Sequence, residues 1–368
     1  MNKHSKKIYL SLTYYQKIMN IKIWPDESNQ RLDRFMRKYM KPFPHVGLAT
    51  IFGWIRKWII KVNENKKDWD YKVRLWDNIY IHHCDDTAFF LEKKVDLDSV
   101  REQKKVIFSK PQIQKMIIFE DKNWIWFDKP IWVNIHEGNH SRKDTNMNDV
   151  LAKHLWFDYK NNEDNTKSET FKPSFCFRLD KDTSGILIAA KNYESLKYLN
   201  NKIQQRDEIT KIYICVVLGK IDKQITIDEP LFKWFTEKFA RAKSFVNHDK
   251  WLSAKSVVTP IANIYHKILG DLSLVNVQIH TGRFHQIRNH MSHVWNPILG
   301  DKLYGDEGKN KLLKSNYKTD RQLLHSLYYG FDDINGKYIY KISKYPDDFA
   351  NIFDNKHIQD FLSKLKSL

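Results

Sequence analysis

Long apolar runs are missing from this chain. No stretch approaches the roughly 18 apolar residues that a membrane helix needs, so the sequence predicts no membrane span. The opening segment, MNKHSKKIYLSLTYYQKIMN, has early lysines and only a short, interrupted apolar stretch, with no small-residue cleavage site after it. This pattern favours a basic arm over a signal peptide, although transit peptides share its scarcity of acidic residues.

Cysteine is also scarce. Only Cys84, Cys176 and Cys215 occur, and they are far apart with no CxxC pair among them. Such a set excludes a disulfide framework and a zinc knuckle, and it fits a reducing compartment such as the bacterial cytoplasm. We interpret the three side chains as small buried apolar groups.

Acidic residues are outnumbered by basic ones. The 368 residues include 44 Asp and Glu against 62 Lys and Arg, a formal net charge of +18. This excess favours a nucleic acid partner, because a cationic surface attracts phosphate and releases its counterions. A generally lysine-rich chain would show the same balance, so composition alone leaves both interpretations open.

The pattern of the chain predicts two domains and three accessory segments, since domains usually hold about 100–200 residues. The segments are a basic arm at 1–22, a small α+β domain at 23–83, a charged linker at 84–112, a large domain at 113–345 and a helical tail at 346–368. The large domain alternates many strand-like runs with two or three helices. This alternation predicts an α+β fold with a large, mainly antiparallel mixed sheet.

Local periodicity predicts the elements of both domains. In the small domain, apolar residues from Leu32 to Tyr39 recur at helical spacing, and a second helical stretch runs from Ala49 to Lys57. Strand-like runs in the small domain lie at 59–63, 73–75 and 77–81. In the large domain we predict strands at 124–127, 185–190, 213–217 and 274–279, and an amphipathic helix at 194–205.

A polar turn with two carboxylates precedes the apolar strand that begins at Gly185. It reads FRLDKDTSG and contains Asp180 and Asp182. Asp, Thr, Ser and Gly favour turns because their side chains bond nearby backbone groups. A carboxylate held in this way has a defined direction, which a nucleophile or a general base needs. An ordinary Asx turn would carry the same residues.

The order of the motifs narrows these interpretations. RLDKDTSGILIAAKN, KIYICVVLG and HTGRFHQIRNH follow one another, with DKPIWVNIH before them and PILGDKLYG and Leu324-His325 after them. This series resembles the RluA-type pseudouridine synthases, and among their branches it looks most like ribosomal large-subunit pseudouridine synthase C. The small domain, with RLDRFMRKYM, IRKWIIKVN and VRLWDNIYI, resembles an RNA-binding module first seen in a ribosomal small-subunit protein.

The resemblance implies an isomerase that converts specific uridines of large-subunit ribosomal RNA into pseudouridine without a cofactor. Asp180 would be its essential catalytic residue, and Tyr213 would stack on the target base. Arg288 would pair with Asp180 and hold it ionised, with Arg283 as the alternative partner. One carboxylate can exchange the bond from ribose to a ring nitrogen for one to a ring carbon, as a nucleophile or as a base; the sequence leaves both routes open.

The resemblance also implies which basic residues contact RNA. Arg178 could occupy the space that a uridine leaves when it flips out of the RNA. The predicted RNA-binding residues are Arg178, Arg283, Lys129, Arg31, Arg34, Arg37, Arg56, Lys57 and Lys61. A helix pair that presents Arg and Lys from one face fits a phosphate backbone, although a solvated basic face has the same pattern.

Four histidines, His280, His285, His290 and His293, suggest a metal site at first sight. Their spacing matches neither HExxH nor a zinc finger, and no acidic residue lies among them. We therefore predict no metal and expect these side chains to form hydrogen bonds within the fold or to contact phosphate. We also expect a monomer.

Four tryptophans depart from the family pattern. Trp58, Trp76, Trp132 and Trp295 stand where the family usually has glycine, at turns that often need a positive φ. They indicate an unusual lineage or a decayed or misread gene. They motivate one alternative to the predicted activity, a non-catalytic RNA-binding or ribosome-assembly factor derived from a synthase. A second alternative, independent of the tryptophans, is a transfer-RNA-directed enzyme of the same chemistry.

Overall fold

The computed structural model describes residues 19–41, 46–82, 108–136, 145–161, 171, 173–205, 209–236, 241–246 and 252–366. The chain divides into two compact units, Met1–Lys104 with Glu163–Lys172 and Lys105–Asn162 with Pro173–Leu368. Most of the predicted basic arm and most of the predicted linker lie outside the described residues, so the five predicted segments stay predictions. Within the described ranges, no helix combines the length and the apolar character that a bilayer crossing requires.

The first unit combines two helices with a small antiparallel sheet. Its elements are β1 Met19–Lys22, α1 Leu32–Tyr39, α2 Leu48–Arg56, β2 Ile60–Val62 and β3 Asn78–Ile81. The strands pair in the order β1-β3-β2. Leu32, Phe35 and Met36 are buried on the inner side of α1, as their spacing predicts, while Arg34 and Arg37 are exposed.

The predicted strand at 73–75 is wrong. The chain turns there, with the Asp77 amide donating to the carbonyl of Arg74 at 3.0 Å and Trp76 at φ +68. The Asp77 carboxylate fastens this loop, because it accepts from the Arg74 amide, the Tyr71 hydroxyl and the Asn63 side chain. A residue in the left-handed region ends extended structure, and the apolar alternation of this segment did not reveal that turn.

The second unit is built around one large sheet. Its strands are β4 Ile117–Glu120, β5 Trp124–Lys129, β6 Ser174–Phe175, β7 Ser184–Ala190, β8 Ile209–Leu218, β9 Ile225–Asp228, β10 Leu231–Thr236, β11 Arg241–Val246, β12 Lys255–His266, β13 Gly270–Ile279, β14 Leu324–Asp332 and β15 Tyr338–Ile342. Its helices are α3 Lys110–Met116, α4 Met147–Asn161, α5 Tyr193–Gln205, α6 Gln286–His293, α7 Glu307–Tyr317, α8 Asp347–Ala350 and α9 Lys356–Lys366.

Ten of these strands form a mixed sheet in the order β4-β5-β7-β14-β8-β13-β12-β9, with β15 on β14 and β6 on β7. β7 and β14 pair in parallel, whereas the other pairs are antiparallel. The strands β10 and β11 form a separate hairpin. This arrangement confirms the predicted α+β class with a large, mainly antiparallel mixed sheet.

Apolar side chains cover both faces of the sheet. Along β8, Tyr213 and Cys215 join the cluster on one face, while Ile212 and Ile214 join the cluster on the other. This alternation follows from the two-residue period of a strand and brings Tyr213 to the face that carries the candidate site. The predicted helical tail is present as α8 and α9, and its Phe353 is buried in the second cluster.

Candidate active site

The Asp180 turn lies between β6 and β7, where the Thr183 amide donates to the carbonyl of Asp180 at 3.1 Å. Strand β7 then runs beside β14, and Gly185 adopts φ +105 at the point of closest approach. A Cβ built on Gly185 would lie 2.2 Å from the carbonyl oxygen of Ser326, so no larger residue fits there without displacing β14. Glycine at position 185 thus lets β7 approach β14 closely directly after the turn that carries Asp180.

The Asp180 carboxylate faces a cleft of about 760 Å³. Its Oδ2 accepts a hydrogen bond from Arg288 Nη1 at 2.9 Å, and His285 Nε2 lies 3.7 Å from the same oxygen. The side chain is 25% exposed, so it is neither sealed in the core nor turned away from the cleft. The structure therefore brings the predicted pair Asp180 and Arg288 together on the cleft wall.

Arg288 is held by a second carboxylate. Its Nε and Nη2 donate to the two oxygens of Asp301 at 2.7 and 2.8 Å, which leaves Nη1 for Asp180. Burial alone would lower the pKa of Arg288, but the bonds and charges of Asp301 and the charge of Asp180 outweigh it and raise that pKa above its ordinary value. Burial would raise the pKa of Asp301, and the bond from Arg288 brings it below its usual range. Both groups are therefore charged at neutral pH.

Tyr213 forms another part of the cleft wall. It lies on β8 and is nearly buried, with its ring in the apolar cluster under the cleft. Burial raises the pKa of Tyr213 to about 12, so the phenol stays neutral under ordinary conditions. A neutral aromatic ring next to Asp180 offers a platform for a flat base.

Lys129 is a correction to the predicted RNA-binding set. Its side chain is fully buried, and its ammonium donates to the carbonyls of Pro130, Val133 and Lys181 at 2.8, 2.9 and 2.9 Å. Burial lowers the pKa of Lys129 to about 7, although the charges of Asp182 and Asp180 oppose this. A group enclosed in this way has no donor left for RNA; it ties the end of β5 to the residue after Asp180.

The arginines of the predicted RNA-binding set differ in their surroundings. Arg178 is exposed at the cleft, two residues before Asp180. Arg283 also lines the cleft, but its Nε donates to the carbonyl of Ser253, so Arg288 and not Arg283 pairs with Asp180. In the first unit, Arg31 chelates Asp33 and lies 4.5 Å over the ring of Trp69.

The other predicted cations of the first unit lie at its surface. Four of them are exposed and one is half-buried: Arg34, Arg37, Arg56 and Lys57, and Lys61, respectively. α1 carries two of these residues, and the end of α2 carries two more. Their positions suit contact with a phosphate backbone.

Two histidines of the third motif have side-chain partners within the fold. His290 bonds the hydroxyl of Ser256 and the carbonyl of Glu229, each at 2.9 Å, and His285 bonds the hydroxyl of Tyr304 at 3.1 Å. Within the part of the chain that the structure describes, no group of three or more His, Cys, Asp or Glu is arranged to hold a metal ion.

Sequence reasoning missed three supporting residues. Asp301 orients Arg288, and only its place in the GDKLYG motif hinted at a role. The buried Arg321 chelates Asp348 of the tail and donates to the carbonyl of Asp182, which links α8 to the Asp180 turn. Lys211, near the start of β8, also lines the cleft. No local pattern marks a contact between residues so far apart in the chain.

Comparison with known proteins identifies the class. A family model described as RNA pseudouridylate synthase matches residues 123–293, a range that includes Asp180, Tyr213 and Arg288. Ribosomal large subunit pseudouridine synthase D of Borreliella burgdorferi is 31% identical over 249 residues, which are 67% of this chain and 70% of that protein. The chain therefore belongs to the RNA pseudouridylate synthase family, and its prediction as an RNA pseudouridine synthase, an isomerase, is confirmed.

Two further similarities accompany this match. Ribosomal large subunit pseudouridine synthase C of Buchnera aphidicola subsp. Acyrthosiphon pisum is 29% identical over 339 residues, 88% of this chain and 92% of that protein. The solved structure of Human RNA Pseudouridylate Synthase Domain Containing 1 aligns with a TM-score of 0.49 at 21% identity, covering 62% of this chain and 83% of that one. The predicted resemblance to the family is thus confirmed by sequence.

Proposed function

We propose that this chain converts specific uridines of large-subunit ribosomal RNA into pseudouridine, with Asp180 as the essential catalytic group. One observation carries the proposal: Asp180 opens into the cleft while its Oδ2 is held at 2.9 Å by the buried Arg288. An arginine partner keeps a carboxylate charged and directed, which suits a nucleophile or a base at the sugar. The nearby wall formed by Tyr213 supports a role for its ring under the base.

The chemistry asks for little beyond these groups. The bond from the ribose to a ring nitrogen is broken, the base turns, and a bond from the ribose to a ring carbon is formed. No electron is gained or lost and no water is consumed, so one carboxylate and a surface that retains the base are sufficient. The target uridine must leave its stack to reach Asp180, and the exposed Arg178 beside the turn is placed to fill the gap.

Ribosomal RNA as the substrate is supported by the relatives and by charge. The relatives with 31% and 29% identity are named as ribosomal large subunit synthases. The exposed arginines of α1 and α2 in the first unit provide cations for a phosphate backbone, and we propose that this unit binds RNA. We further propose that the enzyme acts as a monomer in the bacterial cytoplasm, where that RNA is found.

The test uses ribosomal RNA that lacks pseudouridine. We expect the wild-type chain to form pseudouridine at defined positions of the large-subunit RNA. Asp180→Asn should form none while it stays folded and keeps its RNA affinity. Asp360→Asn, which alters an exposed carboxylate on α9, is the control and should keep full activity.

Two outcomes would count against the proposal. A folded wild-type chain that yields no product on any RNA would favour the non-catalytic binding factor. Product on transfer RNA with none on ribosomal RNA would retain the chemistry and reject the substrate. Mapping pseudouridine in cells without the gene separates these two cases.

A further inference from the structure

A buried lysine in the cleft wall has no assigned part in the reaction. Lys211 lies on β8, two residues before Tyr213 and on the same face of the strand. Residues two apart on a strand are separated by about 6.6 Å, which is close to the span of a nucleobase. Lys211 is only 9% exposed, yet among the described residues no carboxylate forms an ion pair with it.

The surroundings of Lys211 are unfavourable for a cation without a ligand. Burial lowers the pKa of Lys211 to about 8, and no neighbouring charge opposes that shift. A buried cation is normally paired, so the missing charge is expected to come from a bound molecule. Cys176 and Ile203, which line the same cleft, are apolar and provide no such partner.

The reaction creates a negative charge on the base. When the bond from ribose C1′ to uracil N1 breaks, its electron pair stays with the uracil and spreads over N1 and the carbonyl oxygens. When C1′ bonds to C5, that carbon loses its proton and N1 gains one, so atoms and charge balance. We propose that Lys211 is a further catalytic residue that stabilises this charge by a hydrogen bond to a uracil carbonyl oxygen. The proposal rests on the proposed synthase function.

Single-turnover kinetics with saturating RNA test this role. Lys211→Met should lower the rate constant on the order of 100-fold, the usual loss when one oxyanion donor is removed, while RNA affinity stays unchanged. Lys211→Arg should restore much of the rate. The rate of this variant should also persist at high pH, where the wild-type rate falls because Lys211 loses its proton. Lys220→Met, an exposed lysine just beyond β8, is the matched control.

The outcomes are separable. An unchanged rate for Lys211→Met, or a loss confined to RNA affinity, would overturn the role of Lys211 while the synthase function stood. If Lys211→Met did not fold, the wild-type and Lys211→Arg pH profiles would decide, and identical profiles would reject the proposal. A wild-type chain without any turnover would instead reject the function.

Four tryptophans adopt a left-handed backbone conformation. Among the described residues, nine that are not glycine have φ between +50 and +68, and four of them are Trp58, Trp76, Trp132 and Trp295. All four indoles lie at the surface, from 45% to 90% exposed. A bulky side chain at such a φ is strained, and an exposed one gains little packing in return. The other tryptophans with described side chains, Trp24, Trp54, Trp69, Trp124 and Trp126, have no positive φ.

The hydrogen bonds around two of these residues are those of a glycine-ended helix. After α2, the Trp58 amide donates to Ile55 and the next amide donates to Trp54. After α6, the Trp295 amide donates to Ser292 and the next amide to Met291. This pair of backbone hydrogen bonds defines the Schellman motif, whose left-handed position is usually glycine.

The two remaining tryptophans occupy turns. Trp76 is the third residue of the turn closed by Asp77 and Arg74, and Trp132 lies in the turn after β5, each at φ +68. Glycine is the residue that such a third position requires. The chain contains twelve glycines and twelve tryptophans in 368 residues, whereas an average of about 7% glycine would give roughly 26.

We infer that the protein made in its own cell carries glycine at positions 58, 76, 132 and 295. The codon UGA differs by one base from the tryptophan codon UGG and by one base from the glycine codon GGA. A cell that decodes UGA as glycine would place glycine at all four positions, while a tryptophan reading of the same codon gives the printed chain. The buried Trp124 and Trp126, which pack on Phe331, remain tryptophan encoded by UGG.

Sequencing the gene and the protein from its source cell tests this inference. We expect UGA at the four positions and UGG at 124 and 126, with peptide masses that fit glycine at the former and tryptophan at the latter. UGG at the four positions, or tryptophan in the four peptides, would overturn it.

Variants of the printed chain provide a second measurement. Replacing all four tryptophans by glycine should raise the melting temperature by several degrees over the same replacement by alanine, because only glycine relieves the left-handed backbone. Trp69→Gly is the control, since Trp69 is similarly exposed but has no positive φ; it should melt lower. Equal melting temperatures of the glycine and alanine variants, or weaker RNA binding by the glycine variant, would overturn the inference. Either result would favour genuine tryptophans whose exposed indoles contact RNA bases.

Discussion

At the scale of single residues, the site depends on how charges are shared. Arg288 uses two donors on the fully buried Asp301 and one on Asp180. Asp301 also accepts hydrogen bonds from the amides of Leu303 and Tyr304, so its position does not depend on Arg288 alone. Asp180 is thereby oriented by Arg288, which is itself held by a carboxylate closed off from solvent.

Asp301→Asn is expected to damage both stability and activity. It leaves the buried guanidinium with one carboxylate, and breaking a buried ion pair costs about 3–5 kcal/mol. Urea unfolding should show this loss, and single-turnover assays on the folded fraction should show slower pseudouridine formation. Asp306→Asn, which alters an exposed helix cap of α7, should lose no more than about 1 kcal/mol. Equal stability of the two variants would contradict the role of Asp301.

Lys129 predicts how stability depends on pH. Its pKa is lowered to about 7 in the folded chain, whereas an unfolded lysine has a pKa of about 10.4. Between these values the unfolded chain binds the extra proton, so folding stability rises with pH through this window. Urea midpoints measured from about pH 7 to about pH 9 should rise less in Lys129→Met than in the wild type. Parallel curves for the two proteins would contradict a lowered pKa of Lys129 in the folded chain.

At the scale of elements, the parallel pairing of β7 with β14 positions the Asp180 turn. Gly185→Ala should destabilise the fold by on the order of 1–3 kcal/mol from backbone strain alone, with more from the clash against Ser326. Activity should fall with it, because the turn moves with β7. Gly53→Ala is the control: this glycine lies within α2 with open space around it, so alanine should stabilise by about 0.5–1 kcal/mol. Thermal melts decide, and a neutral Gly185→Ala would contradict the close approach.

The sequence predicted those elements whose signal is local. The apolar spacing of α1 and the continuous apolar run of β7 were sufficient to predict a helix and a strand. The segment 73–75 failed because a left-handed turn at Trp76 ended it, and short apolar alternation does not distinguish a strand from a loop with buried side chains.

The candidate site was also predicted only in part. Motif order pointed to Asp180, Tyr213 and Arg288, which the structure places on one cleft. The burial of Lys129 could not be predicted from the sequence, since the three carbonyls that accept its hydrogen bonds come from the turn after β5 and from residue 181. Burial of a polar group is decided by tertiary packing, which a motif does not encode.

At the scale of the whole molecule, the net charge of +18 predicts how RNA binding responds to salt. Affinity should fall linearly on a double logarithmic plot as salt rises, because bound cations release counterions. Replacing Arg34 and Arg37 by Gln should lower the slope by about one unit for each lost phosphate contact, without changing the single-turnover rate at saturating RNA. Filter binding at several salt concentrations measures this. Lys356→Gln, on α9, is the control, and affinity that ignores salt would contradict the electrostatic argument.

The partners of the Asp180 turn are far away in the sequence. The hydroxyl of Ser184 meets His325 across 141 positions, and Arg288 reaches Asp180 across 108. During translation, a nascent polypeptide that has just released β7 therefore has no assembled centre. It gains one only when β14 has also left the exit tunnel, so the Asp180 turn is exposed well before the residues that hold it are available.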